Sequence, residues 1–342
     1  MAMPANRVSA RDVAERAGVS VTTVSRVMND KGGELTPETR ERVRAAAREL
    51  GYRAHPAAVA LRGGRTGVLG LVVPDLGDQY FQQIARGVED ASHPQGYGIV
   101  FCNTDRDIER ENEAIDLLLA KRVDGIVFCG GGLGDDAHLA GRDWFGTSVV
   151  TIGPHLSDFP AVTVDDTGAI RAMVAHLADM GRRRILCVAG KEDWLVVRTR
   201  LAAYRAAVAE LGLDQDPALV DFAGFTADDG RAAVERALDG GVGFDAVLAF
   251  NDYGALGAID ALLRRGLSVP GDVAVSGCDD IDFAVFARVP LTSLRFQSYA
   301  MGRAAVRLFA GDRSEEPRFG YELRVRASTA PLTKPAQPTE AR

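Results

Sequence analysis

Long apolar runs are missing from this sequence. No stretch of its 342 residues approaches the roughly 20 apolar residues that a membrane span needs. The N-terminus, MAMPANRVSARDVAERAGVS, is polar and lacks the apolar segment of a secretory signal. The chain is therefore expected in the cytoplasm, with no membrane partner. Cysteine is scarce: Cys102, Cys129, Cys187 and Cys278 are scattered without a C-x-x-C, and three of them sit in or at the end of apolar strand-like runs, where a small buried thiol is expected. The five histidines form no H-x-x-x-H and pair with no cysteine, which argues against a structural zinc site. Neither a metal nor a cofactor is expected. Walker and G-x-S-x-G signatures are absent, and GGGLGD at 130–135 lacks the G-x-G-x-x-G spacing, so it reads as a flexible loop. Carboxylate pairs at 165–166, 228–229 and 279–280 would suit a glycosidase poorly, because adjacent residues rarely flank one bond. Helix N-termini attract Asp in any case. No enzyme is expected.

What is present is a globular composition, 46% hydrophobic and 25% charged. Domains mostly run to about 100–150 residues, so two or three are expected. The net charge of -7 is unevenly spread. Residues 1–65 hold 12 of the 40 Lys and Arg and 7 of the 47 Asp and Glu, a local excess of five positive charges. The acidic body lies behind them, so a polyanion would be met by the N-terminal piece.

Three short helices fit residues 1–52. Ser9 to Asp12 reads as a capping-box start, and Val13, Ala14 and Ala17 give the first helix an apolar face before Gly18 stops it. Ser20 caps a second helix, VTTVSRVM, ending near Asn29. Thr36-Pro37-Glu38 opens a third, which Gly51 ends. This is a helix-turn-helix arrangement, whose second helix enters the major groove of double-stranded DNA. Val21, Thr22 and Arg26 are placed to reach base edges, Arg26 through two bonds to a guanine. The hydroxyls of Ser20, Thr23 and Ser25 suit phosphates. The competing interpretation is a plain three-helix cap, against which the charge asymmetry and the serial capping weigh.

Residues 53–66 form a linker in which Pro56 can start one short helix. From residue 67 the pattern changes. Apolar runs at 68–73, 98–101, 125–128, 148–152, 184–189, 246–250 and 273–277 alternate with helical segments such as 107–121, 166–180, 197–211, 227–239 and 252–265. Alternation of this kind predicts an α/β core with parallel sheets, and its length predicts two lobes over 67–332. The tail, 333–342, is polar and proline-rich and is expected to be disordered.

Specific motifs run through both parts. DVAERAGVSVTTVSRVMND, TPETRERVRAAARELGYRAHPAAVALR, VVPDLGDQYF, CNTDR, LLLAKRVDGIVF, RTRLAAYRAAVAELGL, AFNDYGALGAIDALLRRGLSVPGDVAVSGCDD, PLTSLR and RASTAPL span residues 8 to 332. In these the chain closely resembles the lactose-repressor family of bacterial transcription regulators. The resemblance implies a helix-turn-helix head, a hinge helix, and a two-lobed core like that of periplasmic sugar-binding proteins, with several crossings between lobes. It implies a homodimer on pseudo-palindromic operator DNA. Leu61 matches the apolar hinge residue that wedges into the minor groove, at the cost of unstacking a base step. Val59 and Ala60 stand where the family often has Arg and Ser. Asn29 joins the candidates for DNA contact. The tail has no leucine heptads, so a coiled-coil tetramer is not expected.

Ligands of open α/β sheets bind outside the carboxyl ends of strands. Asp75, Asp78, Tyr80 and Phe81 follow the first strand of the core, and Lys191 to Trp194 with Arg198 follow another. Asn251-Asp252 and Asp279-Asp280 follow two more. Carboxylates, an amide and a guanidinium around aromatic faces suit a sugar. By resemblance, Arg198, Asn251 and Asp279 match the family's effector contacts, and Phe225 matches a stacking position. Gly153 and Phe296 replace an Asp and a Gln common among sugar-responsive members, which predicts a more aromatic pocket. For Lys191, Asp252 and Asp280 the competing reading, helix capping or solvent exposure, is strongest. The expected function is a ligand-responsive repressor of a carbohydrate-utilisation operon. A nucleobase- or nucleoside-responsive regulator is the alternative, and a sugar-binding protein or glycosidase without a DNA role a weaker one.

Overall fold

The computed structural model describes residues 8–28, 35–52, 65–130, 132–134, 136–156, 158–312 and 317–329. Its contacts divide the chain into two units, 1–67 and 68–342. Asn29, Leu61 with Val59 and Ala60, the expected hinge helix, and the tail at 333–342 lie outside the described residues.

Capping builds the first unit. Helix α1 (Ala10–Ala17) starts at a full capping box, with the Ser9 N–H donating to Asp12 at 2.7 Å. Gly18 ends it at a φ of 62°, a left-handed turn that costs glycine little. Helix α2 (Val21–Met28) starts where the Thr23 N–H donates to the Ser20 hydroxyl at 3.1 Å. Thr36 caps α3 (Pro37–Glu49), with Pro37 in the first turn. Val13, Ala14, Ala17, Val24, Val27, Val43, Ala46 and Ala47 make a small core between the three helices.

The second unit is two lobes, each a six-stranded sheet. In chain order it runs β1 (Val68–Val73), α4 (Gln79–Ser92), β2 (Gly98–Asn103), α5 (Ile108–Ala120), β3 (Gly125–Cys129), β4 (Ser148–Ile152), β5 (Ala161–Val164) and α6 (Asp166–Asp179). It continues with β6 (Ile185–Ala189), α7 (Leu195–Glu210), β7 (Val220–Phe222), α8 (Ala227–Asp239), β8 (Ala246–Ala249) and α9 (Asp252–Arg264). It ends with β9 (Ala274–Cys278), α10 (Asp282–Phe286), β10 (Thr292–Phe296), α11 (Ser298–Phe309), β11 (Arg318–Phe319) and β12 (Tyr321–Arg324). The first sheet has the order β11-β5-β4-β3-β1-β2, the second β12-β10-β9-β8-β6-β7. Pairings are parallel except β10 with β12.

The chain passes between lobes after β5, after β10 and between β11 and β12. Helix α11 thus returns to the first lobe and packs on α4. Two glycines allow that approach. A Cβ on Gly302 would lie 2.1 Å from the Ile84 carbonyl oxygen, and one on Gly87 would lie 2.1 Å from that of Tyr299.

The seven apolar runs all become strands. β5, β7, β10, β11 and β12, which are short or partly polar, are added by the structure. β2 is an edge strand, so Val100 and Phe101 are exposed, and Cys102 is half-buried. The other three cysteines are buried, and all four are free thiols. The described residues of the loop after β3 make contacts of their own. Leu133 bridges to Trp194, and the Leu195 N–H donates to the Gly132 carbonyl at 3.1 Å, which ties the first lobe to the second.

Candidate functional site

Helix α2 divides its side chains by depth. Val24 and Val27 are buried in the head's core, whereas Ser20, Val21, Thr22 and Arg26 are exposed. Thr23 and Ser25 are half-buried, and the Thr23 hydroxyl lies 2.9 Å from that of Ser20. The period of 3.6 residues per turn causes this split, since 24 and 27 share the inner face. One short helix therefore presents a branched apolar side chain, hydroxyls and a guanidinium side by side.

The second candidate site is the cleft between the lobes. An inner chamber of about 50 Å³ is lined from the first lobe by Asp78, Tyr80, Phe81, Arg106, Gly153 and Pro154. The second lobe contributes Asp166, Arg200, Phe225, Phe250, Asn251 and Asp279. An outer chamber of about 500 Å³ adds Asp75, Lys191, Trp194, Asp229 and Tyr253, and again includes Asp78, Arg106 and Phe225.

Most of these side chains stand where a strand ends and a helix begins. Asp78 caps α4, accepting from the Tyr80 N–H at 3.0 Å. Asn251 caps α9: its Oδ1 accepts from the Gly254 N–H at 2.9 Å, and its Nδ2 donates to the Phe225 carbonyl at 2.7 Å. That second bond fixes the amide's orientation and holds the Phe225 loop. Asp279 follows β9 at a φ of 110°, an uncommon backbone for an L-residue. It is held there by its N–H, which donates to the Leu294 carbonyl at 2.8 Å.

The electrostatics suit hydroxyl donors. Burial pushes the Asp78 carboxyl above its ordinary range, partly offset by the Tyr80 N–H and by Arg106. Burial pushes Asp279 up further, and the charge of Asp78 adds to it. The two carboxyls face one space, and a ligand O–H or N–H donated to them would favour their charged forms.

Arg198, matched to an effector contact in the sequence, does not line the inner chamber; its Nη2 donates to the Gly134 carbonyl at 2.7 Å. Arg200 lines it instead. Two residues along a helix differ by about 200° in direction, so when 200 faces the cleft 198 cannot. Arg200 donates through Nε to Asp166 at 2.8 Å and stacks 5.4 Å from the Phe296 ring centroid. Burial works against its charge, and Asp166 together with Cys278 and Asp279 outweighs that burial.

Trp194 belongs to the outer chamber, 5.2 Å from the ring of Phe225. Phe296 lies behind the chamber wall, buried under Arg200 and edge-on to Tyr80 at 6.4 Å. Asp252 neither caps nor faces solvent. It is fully buried, accepts from the Ser293 hydroxyl at 2.6 Å and the Ile281 N–H at 2.9 Å, and is pushed up to about 8 by that burial. Asp280 pairs with Arg326 at 2.5 Å, and Lys191 is exposed with its Nζ 5.7 Å from the Trp194 ring centroid. Arg106, which sequence reasoning passed over, follows β2, where the strand-end rule applies equally.

Among the described residues no cluster of three His, Cys, Asp or Glu could hold a metal ion, and no helix is long and apolar enough to cross a membrane.

Comparison with known proteins agrees for both units. Residues 9–55 match the family "Bacterial regulatory proteins, lacI family". Residues 66–318 match "Periplasmic binding proteins and sugar binding domain of LacI family". The regulator DegA of Bacillus subtilis is 32% identical over 94% of this chain and 98% of its own length. The repressor CytR of Escherichia coli is 32% identical over 94% and 96%. The lac repressor dimer bound to operator and the anti-inducer ONPF superposes with a TM-score of 0.82 at 26% identity, covering 95% of this chain and 99% of that one. The regulator CelR in complex with cellobiose gives 0.69 at 32%, covering 94% and 100%.

Proposed function

The chain belongs to the lacI family of bacterial regulatory proteins, and on that premise we propose that it is a homodimeric repressor that releases a pseudo-palindromic operator when a sugar enters the interlobe cleft. The observation that carries the reading is the pairing of Asp78 and Asp279 across a chamber walled by Phe81, Phe225 and Arg200. Carboxylates take paired hydroxyls while rings cover the apolar face of a sugar. The solved relatives support it, one bound to operator DNA and one to cellobiose.

In this reading α2 lies in the major groove, with Val21, Thr22 and Arg26 on base edges and Ser20, Thr23 and Ser25 on phosphates. Asn29 and Leu61 add contacts beside α2 and at the operator centre. The ligand is bound without chemical change, and its effect on DNA arises from binding the two lobes in one arrangement better than in another. The protein works in the cytoplasm, where the DNA is, and the regulated genes serve carbohydrate use.

A thermal-shift screen of sugars, nucleobases and nucleosides tests the ligand class. A sugar that raises the melting temperature and releases a duplex selected from random DNA supports the reading. A nucleoside that does both replaces the sugar with the other ligand class. Ligand binding with no selected duplex overturns the regulatory role.

A further inference from the structure

Arg106 stands on the boundary between the two chambers and lines both. It and Asp105 hold φ values of 56° and 51°, a turn that aims its side chain into the cleft. The guanidinium carbon lies 4.7 Å from the ring centroid of Phe225, 5.2 Å from that of Trp194 and 5.4 Å from that of Phe81. All three are cation–π distances. Among the described residues, no acceptor takes a hydrogen bond from its guanidinium and no carboxylate forms an ion pair with it. An arginine has five N–H donors, and leaving them unmet in an enclosed place is unfavourable. The three rings hold this cation, then, with the charges of Asp78, Asp75 and Asp279 attracting it from a distance, and a bonded anchor does not.

Those rings are the apolar faces that a ligand in the cleft would use. They are already covered by the chain's own guanidinium. The chamber on its inner side is about 50 Å³, while about 500 Å³ lies open on its outer side, where Asp75, Asp78 and Asp229 can receive a displaced cation.

We propose that Arg106 is an internal competitor of the effector: its guanidinium fills the Phe81–Trp194–Phe225 cage in the ligand-free cleft, and the effector binds by displacing it toward the acidic outer chamber. The proposal rests on the reading of this cleft as the effector site and specifies what can enter it. The ligand presents a C–H or cationic face to the rings and donors to Asp78 and Asp279. An anion meets the carboxylates of Asp75, Asp78 and Asp279 instead and is rejected.

Trp194 reports on its own cage once Trp144, the other tryptophan, is replaced by Phe. The full chain carrying Trp144→Phe is titrated with methylguanidinium chloride, against sodium chloride at equal ionic strength. Adding Arg106→Ala should produce saturable quenching of Trp194, with half-saturation at least tenfold below that of the parent. Adding Phe225→Ala as well should remove that gain. Should Arg106→Ala not fold, Arg106→Gln carries the same expectation. Equal titrations with and without Arg106 overturn the proposal. So does saturable binding of inorganic phosphate that needs Arg106, since the side chain would then be an anion anchor. Neither DNA nor effector is present in this titration, so its failure leaves the regulatory reading standing.

Discussion

Arg26 shows what one exposed side chain on a short helix can decide. Its neighbours Val24 and Val27 are buried, so the guanidinium is presented by a backbone that the head's own core holds still. A bidentate contact to guanine discriminates by about 1–3 kcal/mol, and Arg26→Ala should lose that much specific binding while keeping the salt-dependent attraction to any duplex. Gel shifts at one salt concentration, on selected and scrambled duplexes, measure both; unchanged discrimination would remove Arg26 from the base edges. In the cleft the contrast is between two arginines. Arg200→Ala removes a charged partner worth roughly 1.5–3 kcal/mol, so effector affinity in calorimetry should fall about ten- to hundredfold. Arg198→Ala should leave it within a few-fold, because that side chain is bonded to the Gly134 carbonyl. The strand-end rule pointed to Asp78, Asn251 and Asp279, which line the inner chamber, because each lies within a few residues of a strand's end. It pointed to Arg198, whereas Arg200 lines the chamber, because both sit early in α7 and which one faces inward depends on the helix's rotation.

At the level of elements, two packed pairs carry consequences. Helices α4 and α11 touch at Gly87 and Gly302, where an added methyl meets backbone that cannot rotate away. Gly302→Ala should destabilise the core by about 1–3 kcal/mol, as overpacking does, which urea denaturation reads directly. The start of α9 is fastened to β10 and to the turn after β9 by Asp252, whose carboxyl is pushed up to about 8 by burial. The unfolded chain ionises this group near 3.8, so the native state holds the extra proton between about 3.8 and about 8. Its contribution to stability is complete below about 3.8, declines as pH rises through that window, and is gone above about 8. Asp252→Asn should flatten the fall in melting temperature between pH 5 and 8; an unaltered slope would show that other groups set it. No feature of the dipeptide Asn251-Asp252 foretells that the first residue faces the cleft and the second the core. The two differ by one step of a helix turn.

At the scale of the whole molecule, two units with separate cores divide the labour. A two-fold operator needs two heads, so a dimer is expected in sedimentation at micromolar concentration. Operator affinity should fall steeply with salt, because phosphate contacts release counterions, while affinity for a neutral effector should hardly change. A tetramer, or an operator affinity indifferent to salt, would contradict this.

The sequence by itself determined the order of elements, the division between head and core and the two-sheet plan. These follow from capping residues, the 3.6 and alternating periods and short apolar runs, all of which act over a few neighbouring residues. It also determined the family, through motifs spread from residue 8 to 332. The tertiary structure alone decided that Arg200 rather than Arg198 faces the cleft, that Leu133 is tied to Trp194, and that Arg106 stands against three rings. Each is a meeting of segments far apart in the chain. The two sides of such a meeting are fixed by how two lobes and their crossing strands pack, and no local pattern records it.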